Sequence, residues 1–188
     1  MSKASACVGL LPRRGLVCAS LVLLACIIGA SAVAQEAGGL KVQGVKRHVL
    51  APPFELPTLD GERVSLADQR GSLVLVHFWA TWCRSCREEL PSLLAAQDWA
   101  KGLSVLAIAV DRGDPAHIRR YLASLPLGPT LTVLHDRDGQ VRETYAVQAL
   151  PVTYVVGQDG RLLARAVGAR DWQSEAAKRY LRGLGAEP

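Results

Sequence analysis

The sequence predicts an α/β sandwich in which helices flank a mixed β-sheet. Segments with the pattern of a strand alternate with segments that have a helical pattern, and the chain closes on a hairpin followed by a helix. The length of 188 residues suits one globular domain with an export signal, and the sequence shows neither an internal repeat nor a second domain. We therefore expect a single folded unit built on this sheet.

The N-terminal segment has the pattern of a signal peptide. A basic region that contains Arg13 and Arg14 and no acidic residue precedes the apolar run 16–30. This run suits a signal-peptide core and is short for a membrane span, and residues 32–34 then give the small-x-small pattern of a cleavage point. We predict a signal peptide over residues 1–34; an uncleaved N-terminal membrane anchor is the alternative.

Removal of this segment would simplify the cysteine content. Of the five cysteines, only Cys83 and Cys86 lie outside residues 1–34. One adjacent pair without a spare thiol, in an oxidising compartment, is typical of a redox enzyme and not of a disulfide-stapled scaffold. The formal net charge would fall from +5 to +2, and no basic patch suggests a nucleic-acid partner.

The exported part is predicted to begin with a linker and a small hairpin. Residues 35–50 mix glycine and charged residues without a clear period, so we predict a linker there and a folded domain over residues 51–188. Residues 54–56 and 63–66 have strand patterns on either side of an Asp-Gly turn, which predicts a hairpin.

A long apolar strand and a helix form the centre of the chain. Gly71 opens the strand, whose apolar residues occupy positions 73–79, and a helical pattern spans residues 86–100. Pro91 lies inside that helix and should kink it, because proline lacks a backbone donor. Residues 103–110 are nearly all apolar, as expected for a strand that is buried on both faces.

The second half of the chain continues the alternation. Asp114 begins a helix, residues 131–134 form a short strand, and residues 153–156 and 162–167 form a hairpin across an Asp-Gly turn. Asp171 is predicted to cap a final helix, which turns an apolar face towards the sheet.

Cys83 and Cys86 lie between the central strand and the helix after it, an arrangement that predicts a reactive dithiol. A cysteine at the first turn of a helix is close to unsatisfied backbone N–H groups and to the positive end of the helix dipole, and both favour the thiolate. We predict Cys83 as the nucleophile and Cys86 as the resolving thiol, which attacks the mixed disulfide and releases the product.

Neighbouring residues are predicted to tune this pair. The Trp82 ring would shield one side of the Cys83 sulfur and offer a flat surface to partners. Arg84 adds a positive charge that would favour the thiolate further; the alternative is a solvated loop arginine. Glu88 and Glu89 are expected to be solvated charges on the helix face.

Other roles for two cysteines at this spacing fit the sequence less well. A structural zinc site needs further ligands at matching spacing, but His77, His117 and His135 are scattered and there is no second Cys-x-x-Cys. Haem attachment needs a histidine directly after the second cysteine, where Arg87 stands. A purely structural disulfide would constrain the unfolded chain little, because the loop that it closes is short.

The segment FWATWCRSC resembles the active site of the thioredoxin superfamily. With APPFELPTLDGERVSL, the EELP that follows the cysteines, LHDRDG and YAVQALPVTYVVGQDG, residues 51–184 resemble the TlpA/ResA-like branch of bacterial periplasmic thiol:disulfide oxidoreductases. The resemblance implies a thioredoxin-like three-layer α/β/α sandwich with a mixed central sheet and an N-terminal β-hairpin extension. It also implies a redox-active disulfide between Cys83 and Cys86, without a bound cofactor or metal.

The resemblance gives expected roles to two further residues. Pro151, which follows Leu150, would be a cis-proline that faces the cysteines and helps to dock the substrate chain. His77 stands where cytosolic thioredoxins have a buried acid, and its neutral imidazole would accept a proton from Cys86 as that thiol attacks. The alternative for His77 is a core histidine with a hydrogen bond to the backbone.

The function implied by the resemblance is that of an exported reductant of disulfides in periplasmic partner proteins, soluble or anchored to the inner membrane by its N-terminus. Electrons would come from a membrane thiol reductant. Candidate partners are apocytochrome c, proteins that assemble copper sites and proteins of sulfur metabolism. The alternative from another class is a soft-metal chaperone that binds copper through Cys83, Cys86 and His135, since thiolates favour Cu(I).

Overall fold

The structure of the chain is a computed structural model that describes residues 40–45, 49–127 and 131–187. The predicted signal peptide lies outside the described residues, so both the signal and its alternative as an anchor stay predictions. Within the described ranges, no helix has the length and apolar character needed to cross a membrane.

The elements of the described residues follow one another largely as the sequence predicts. The strands are β1 (Gln43–Gly44), β2 (Glu55–Pro57), β3 (Arg63–Ser65), β4 (Leu73–Trp79), β5 (Leu103–Ala109), β6 (Thr132–His135), β7 (Val152–Val156) and β8 (Leu162–Val167). The α-helices are α1 (Arg84–Trp99), α2 (Pro115–Ala123), α3 (Gln140–Thr144) and α4 (Glu175–Gly183), and a 3₁₀-helix spans Ala67–Gln69.

One mixed sheet organises the fold. Its strand order is β1-β8-β7-β4-β5-β6, and β2 and β3 form a separate antiparallel hairpin. Strands β4, β5 and β6 are parallel to one another, whereas β7 runs antiparallel to both β4 and β8. The predicted α/β sandwich with a mixed sheet is therefore confirmed, and so is the small hairpin that precedes it.

Strand β4 is at the centre of the sheet and leads directly to the cysteine pair. It pairs with β7 on one side and with β5 on the other, and all seven of its residues are buried. A strand that is covered on both faces needs a nearly continuous apolar run, which this segment supplies. His77 is the one polar residue within β4, and its burial makes it part of the core.

Part of the predicted linker belongs to the sheet. Gln43 pairs with Arg165 and Gly44 with Ala164, so β1 adds an edge strand next to β8. Leu40, just before this strand, is buried in the core. The remaining boundaries of the predicted domain stay predictions.

The final helix begins later than the sequence suggested. The side chain of Ser174 accepts a hydrogen bond from the backbone N–H of Ala177 at the start of α4, so the prediction that Asp171 caps this helix is wrong. Asp171 instead accepts from the N–H of Gln173. Trp172 therefore lies before the helix, and it is fully buried.

Candidate active site

The cysteine pair lies where β4 has ended and α1 begins. Cys83 is the N-cap residue of α1, and its sulfur accepts a hydrogen bond from the backbone N–H of Cys86 at 3.2 Å. The two cysteines are joined in a disulfide, and their Cα atoms are 5.3 Å apart. This position gives the Cys83 sulfur the helix N–H groups that stabilise a thiolate when the disulfide is reduced.

Exposure distinguishes the two sulfurs and supports the roles predicted for them. The exposed fraction is 7% for Cys83 and 0% for Cys86, so a partner can reach only the first residue. Trp82 has an exposed fraction of 69%, which leaves its ring available to a docking protein beside Cys83. The assignment of Cys83 as nucleophile and Cys86 as resolving thiol stays a prediction, with this geometry in its favour.

Arg84 is exposed at the first position of α1 and forms an ion pair with Glu88. Its Nε lies 3.1 Å from Glu88 Oε1, one helical turn further on. The carboxylate compensates the guanidinium charge in a solvated setting, where ion pairs are weak. The contact supports the interpretation that Arg84 is a solvated arginine and not a residue that strongly stabilises the Cys83 thiolate.

The peptide bond between Leu150 and Pro151 is cis, as the resemblance implied. Pro151 is buried immediately before β7, and its carbonyl accepts a hydrogen bond from the N–H of Gly168 at 2.8 Å. Its role in docking a substrate chain stays a prediction.

His77 is fully buried and contacts a side chain of the neighbouring strand. It pairs with Thr153 in the register of β4 and β7, and its Nδ1 lies 3.0 Å from Thr153 Oγ1. Burial lowers the pKa of the imidazole to about 3, so the ring is neutral at neutral pH. Its Nε2 has no hydrogen-bond partner among the described residues. The partner of this core histidine is thus a hydroxyl and not the backbone.

Glu89 is buried, contrary to the expectation that it is a solvated charge. Its exposed fraction is 2%, and its Oε1 accepts a hydrogen bond from Trp172 Nε1 at 2.6 Å. Burial raises the pKa of the carboxyl to about 7, and the hydrogen bond from Trp172 offsets part of this effect. Glu89 therefore ionises close to neutral pH.

Cys86, Glu89, Thr153 and His77 form one buried layer between α1 and the sheet. Cys86 and Glu89 are three residues apart on α1, a spacing that places them on the same face of a helix. The Glu89 carboxyl interacts with the side chain of Thr153, which in turn contacts His77. We call these four residues the buried polar layer. It places groups that can hold a proton beneath the resolving cysteine.

Asp111 fixes the turn that precedes the cysteines. Its carboxylate accepts hydrogen bonds from the backbone N–H of Thr81, at 3.1 and 3.2 Å, and from Thr81 Oγ1, at 2.6 Å. His117 Nε2 approaches the same hydroxyl at 3.1 Å. Asp111 was not predicted as a site residue, although its place just beyond a parallel strand, at the edge where β4 also ends, is a signal for one.

His135 supports the same loop and is not directed to the cysteines. It is buried, and its Nε2 donates a hydrogen bond to the carbonyl of Asp111 at 2.8 Å. In the part of the chain that the structure describes, no three His, Cys, Asp or Glu side chains are grouped so that they could hold a metal ion. The copper-chaperone alternative therefore gains no support from His135.

Known proteins of similar sequence are thiol-redox proteins. The thioredoxin-like protein YneN of Bacillus subtilis (strain 168) is 35% identical over 123 residues, which cover 64% of this chain and 71% of that protein. The thiol-disulfide oxidoreductase ResA of the same strain is 31% identical over 119 residues, which cover 63% of this chain and 65% of ResA.

Proteins of known structure that have a similar fold are also thiol-redox proteins. The structure named for the thiol:disulfide interchange protein DsbE of Chlorobium tepidum has a TM-score of 0.63 and 34% identity, and the match covers 72% of this chain and 96% of that one. The exposed lipoprotein thioredoxin Etrx1 of Streptococcus pneumoniae strain TIGR4 has a TM-score of 0.62 and 28% identity, covering 71% of this chain and 100% of that one.

Fold, cysteine pair and relatives together define the class: the protein is a thiol:disulfide oxidoreductase of the thioredoxin superfamily, similar to the TlpA/ResA-like branch. The AhpC/TSA family matches residues 49–165, more than half of the chain, and the chain belongs to that family.

Proposed function

We propose that this oxidoreductase is exported to the periplasm and reduces disulfides in partner proteins there. Its partners would include apocytochrome c or proteins that assemble metal sites, and a membrane thiol reductant would restore the dithiol. The signal-peptide pattern of residues 1–34 supports export. The relatives named as thiol-disulfide oxidoreductases support the exchange chemistry.

The exchange takes place in two steps that conserve electrons. The Cys83 thiolate attacks one sulfur of the partner disulfide, and the other partner sulfur leaves as a thiolate and takes up a proton. Cys86 then loses its proton and attacks Cys83 in the mixed disulfide, which releases the second partner thiol. The protein ends with the Cys83–Cys86 disulfide, and the partner has gained two electrons and two protons.

The burial of Glu89 is the observation that supports the reductive direction of the disulfide exchange. A buried carboxylate on the same helix face as Cys86 disfavours a second negative charge in the buried polar layer. It therefore destabilises the thiolate forms of the reduced pair relative to the uncharged disulfide. A pair whose disulfide is favoured in this way gives up electrons readily and acts as a reductant.

Glu89 is also the group in the buried polar layer that is best matched to accept the Cys86 proton. Its pKa of about 7 lies near the operating pH, where general bases work best. His77, with a pKa of about 3, would have to pass a proton between its two ring nitrogens without becoming charged. We therefore propose Glu89 as the acceptor of the Cys86 proton. His77 would take part only by exchanging a proton with the hydroxyl of Thr153.

The reduction potential of the Cys83–Cys86 pair tests this direction. Equilibration of the full chain with glutathione, and separately with thioredoxin, should give a potential near or below about −270 mV. Glu89→Gln should shift it to a more positive value, because the carboxylate that disfavours the thiolate is gone. Glu62→Gln, at an exposed site in the β2–β3 turn, is the matched control and should leave it unchanged.

A measured potential towards about −120 mV would instead mark the protein as a disulfide donor, and the reductant proposal would fall. A low potential that is insensitive to Glu89→Gln would keep the reductant but reject Glu89 as its cause.

A further inference from the structure

A cleft of about 570 Å³ lies on the edge of the sheet where the parallel strands end. The loops after β5 and β6, helix α3 and the segment that follows it form its walls. Three arginines from these segments line it, namely Arg112, Arg137 and Arg142. Ligands of open α/β sheets bind preferentially at this edge. We call this feature the arginine cleft.

The arginine cleft adjoins the active site on two sides. Val110 lines the cleft, and its N–H donates to the carbonyl of Trp79 at 2.9 Å, while the next residue, Asp111, binds the turn before the cysteines. On the other side, Gln148 lines the cleft two residues before the cis bond of Leu150 and Pro151. The cleft therefore borders both the turn before the cysteines and the segment that leads to the cis-proline.

The arginines of the cleft are available to a ligand. Arg112 and Arg137 are exposed and have no hydrogen bond or ion pair with any residue of the described ranges. Arg142 is half-buried, and its Nε donates to the carbonyl of Val147 at 3.1 Å, which fixes the guanidinium at the wall. An unpaired guanidinium is a planar donor that suits a carboxylate.

Two carboxylates, Asp138 and Glu143, also line the arginine cleft. Neither is paired with one of its arginines within 4.0 Å in the described part of the chain. Three positive and two negative side chains leave a net positive charge in the cleft. The arginines outnumber the carboxylates, so the cleft as a whole attracts an acidic segment and disfavours a basic one.

We infer that the arginine cleft docks the stretch of a partner protein that flanks its reacting cysteine, and that it selects partners with acidic residues there. The inference rests on the proposed function, because it names the class of protein that the cysteine pair reduces. Each contact would be a charge-assisted hydrogen bond between a guanidinium and an aspartate or glutamate of the partner.

The test uses two synthetic peptides that share one cyclic Cys-Ala-Ala-Cys disulfide. One has two aspartates beside the cysteines, and the other has two asparagines of nearly the same shape. The reduced full chain, kept in a non-ionic detergent, is mixed with each peptide, and the second-order rate constant of disulfide transfer is measured. Rates are compared at ionic strengths of about 0.01 M and about 1 M, where the Debye length is about 30 Å and about 3 Å.

We expect the acidic peptide to react about five-fold faster or more at low salt, and the two rates to converge at high salt. The double variant Arg112→Glu with Arg137→Glu should lose this preference while it reduces the neutral peptide at the normal rate. The control reverses two exposed arginines on other surfaces, Arg120→Glu with Arg179→Glu, for the same change in net charge. It should keep the preference.

Equal rates for the two peptides, or a preference that survives in the cleft variant, would overturn the inference. A variant that slows both peptides alike would show that the arginines act on the thiol chemistry and not on docking, which also overturns it. Failure of the reduced wild-type chain to reduce even the neutral peptide would instead contradict the proposed function, and the inference with it.

Discussion

Glu89 and His77 are buried ionisable residues whose pKa values are shifted in opposite directions. Burial raises the pKa of Glu89 from 4.5 to about 7 and lowers that of His77 from 6.5 to about 3. The stabilisation from Glu89 is present below pH 4.5 and is lost as the pH rises to about 7. The stabilisation from His77 is present above pH 6.5 and is lost as the pH falls towards about 3.

Substitution of each residue should therefore weaken the dependence of the free energy of unfolding on pH, in a different pH range for each. Relative to wild type, Glu89→Gln should gain free energy of unfolding as the pH rises from about 5 to about 8, because the charged carboxylate is absent. His77→Asn should gain it as the pH falls from about 6.5 to about 4. Each change should reach up to about 1.4 kcal/mol per pH unit. Urea titrations of the disulfide-bonded chain at a series of pH values measure both.

The readout is the change with pH and not the stability at one pH, since the smaller asparagine leaves a cavity that costs free energy throughout. Profiles that stay parallel to wild type for both buried variants would contradict the shifted pKa values.

A local motif predicted the cysteine pair, because the residues that define it lie side by side in the sequence, whereas the cis conformation of Pro151 was expected only from the resemblance to the thioredoxin superfamily. Glu89 was misjudged for the opposite reason, since its partner Trp172 is 83 residues further along the chain. A signal was nevertheless present. Glu89 lies three residues after Cys86 and four before Leu93, so it belongs to the apolar stripe of the helix.

Long apolar runs predicted strands β4 and β5 well, whereas strand β1 and the start of helix α4 were not predicted correctly. β1 has two residues without a pattern, and its pairing depends on the free edge of β8. The start of α4 was misplaced because Asp171 and Ser174 are both good N-cap residues. The local sequence does not decide between them; the burial of Trp172 before the helix does.

The turn that follows helix α3 contains a residue whose backbone conformation disfavours its side chain. Ala146 has φ 49°, in the left-handed region, and the N–H of Val147 closes on the carbonyl of Arg142. Helices commonly end this way, but with glycine, because a Cβ atom costs about 1 kcal/mol there. Ala146→Gly should therefore raise the free energy of unfolding by about 0.5–1 kcal/mol in urea titrations.

The same substitution inside a regular helix supplies the contrast. Ala95→Gly, in the middle of α1, should lower the free energy of unfolding by about 1 kcal/mol, since glycine is a poor helix former. If Ala146→Gly were destabilising as well, the left-handed conformation would not be the dominant factor at that position.

The candidate site is assembled from segments that are far apart in the chain. Helix α1 supplies Cys86 and Glu89, strand β7 supplies Thr153, and the segment before α4 supplies Trp172. The sheet places β7 beside β4, and the buried indole brings the end of the chain against α1. The C-terminal part of the fold therefore contributes directly to the electrostatics beneath the cysteines.

Trp172→Phe tests this long-range contact, because it removes one N–H donor and keeps an aromatic ring. At about pH 8 the charged Glu89 would lose its donor, at a cost of about 1–3 kcal/mol in the free energy of unfolding. At about pH 5 the carboxyl is protonated, so the cost should be smaller. In a Glu89→Gln background the cost should not vary with pH, since no charge forms. A cost that is independent of pH in both backgrounds would show that the indole stabilises the fold only by packing.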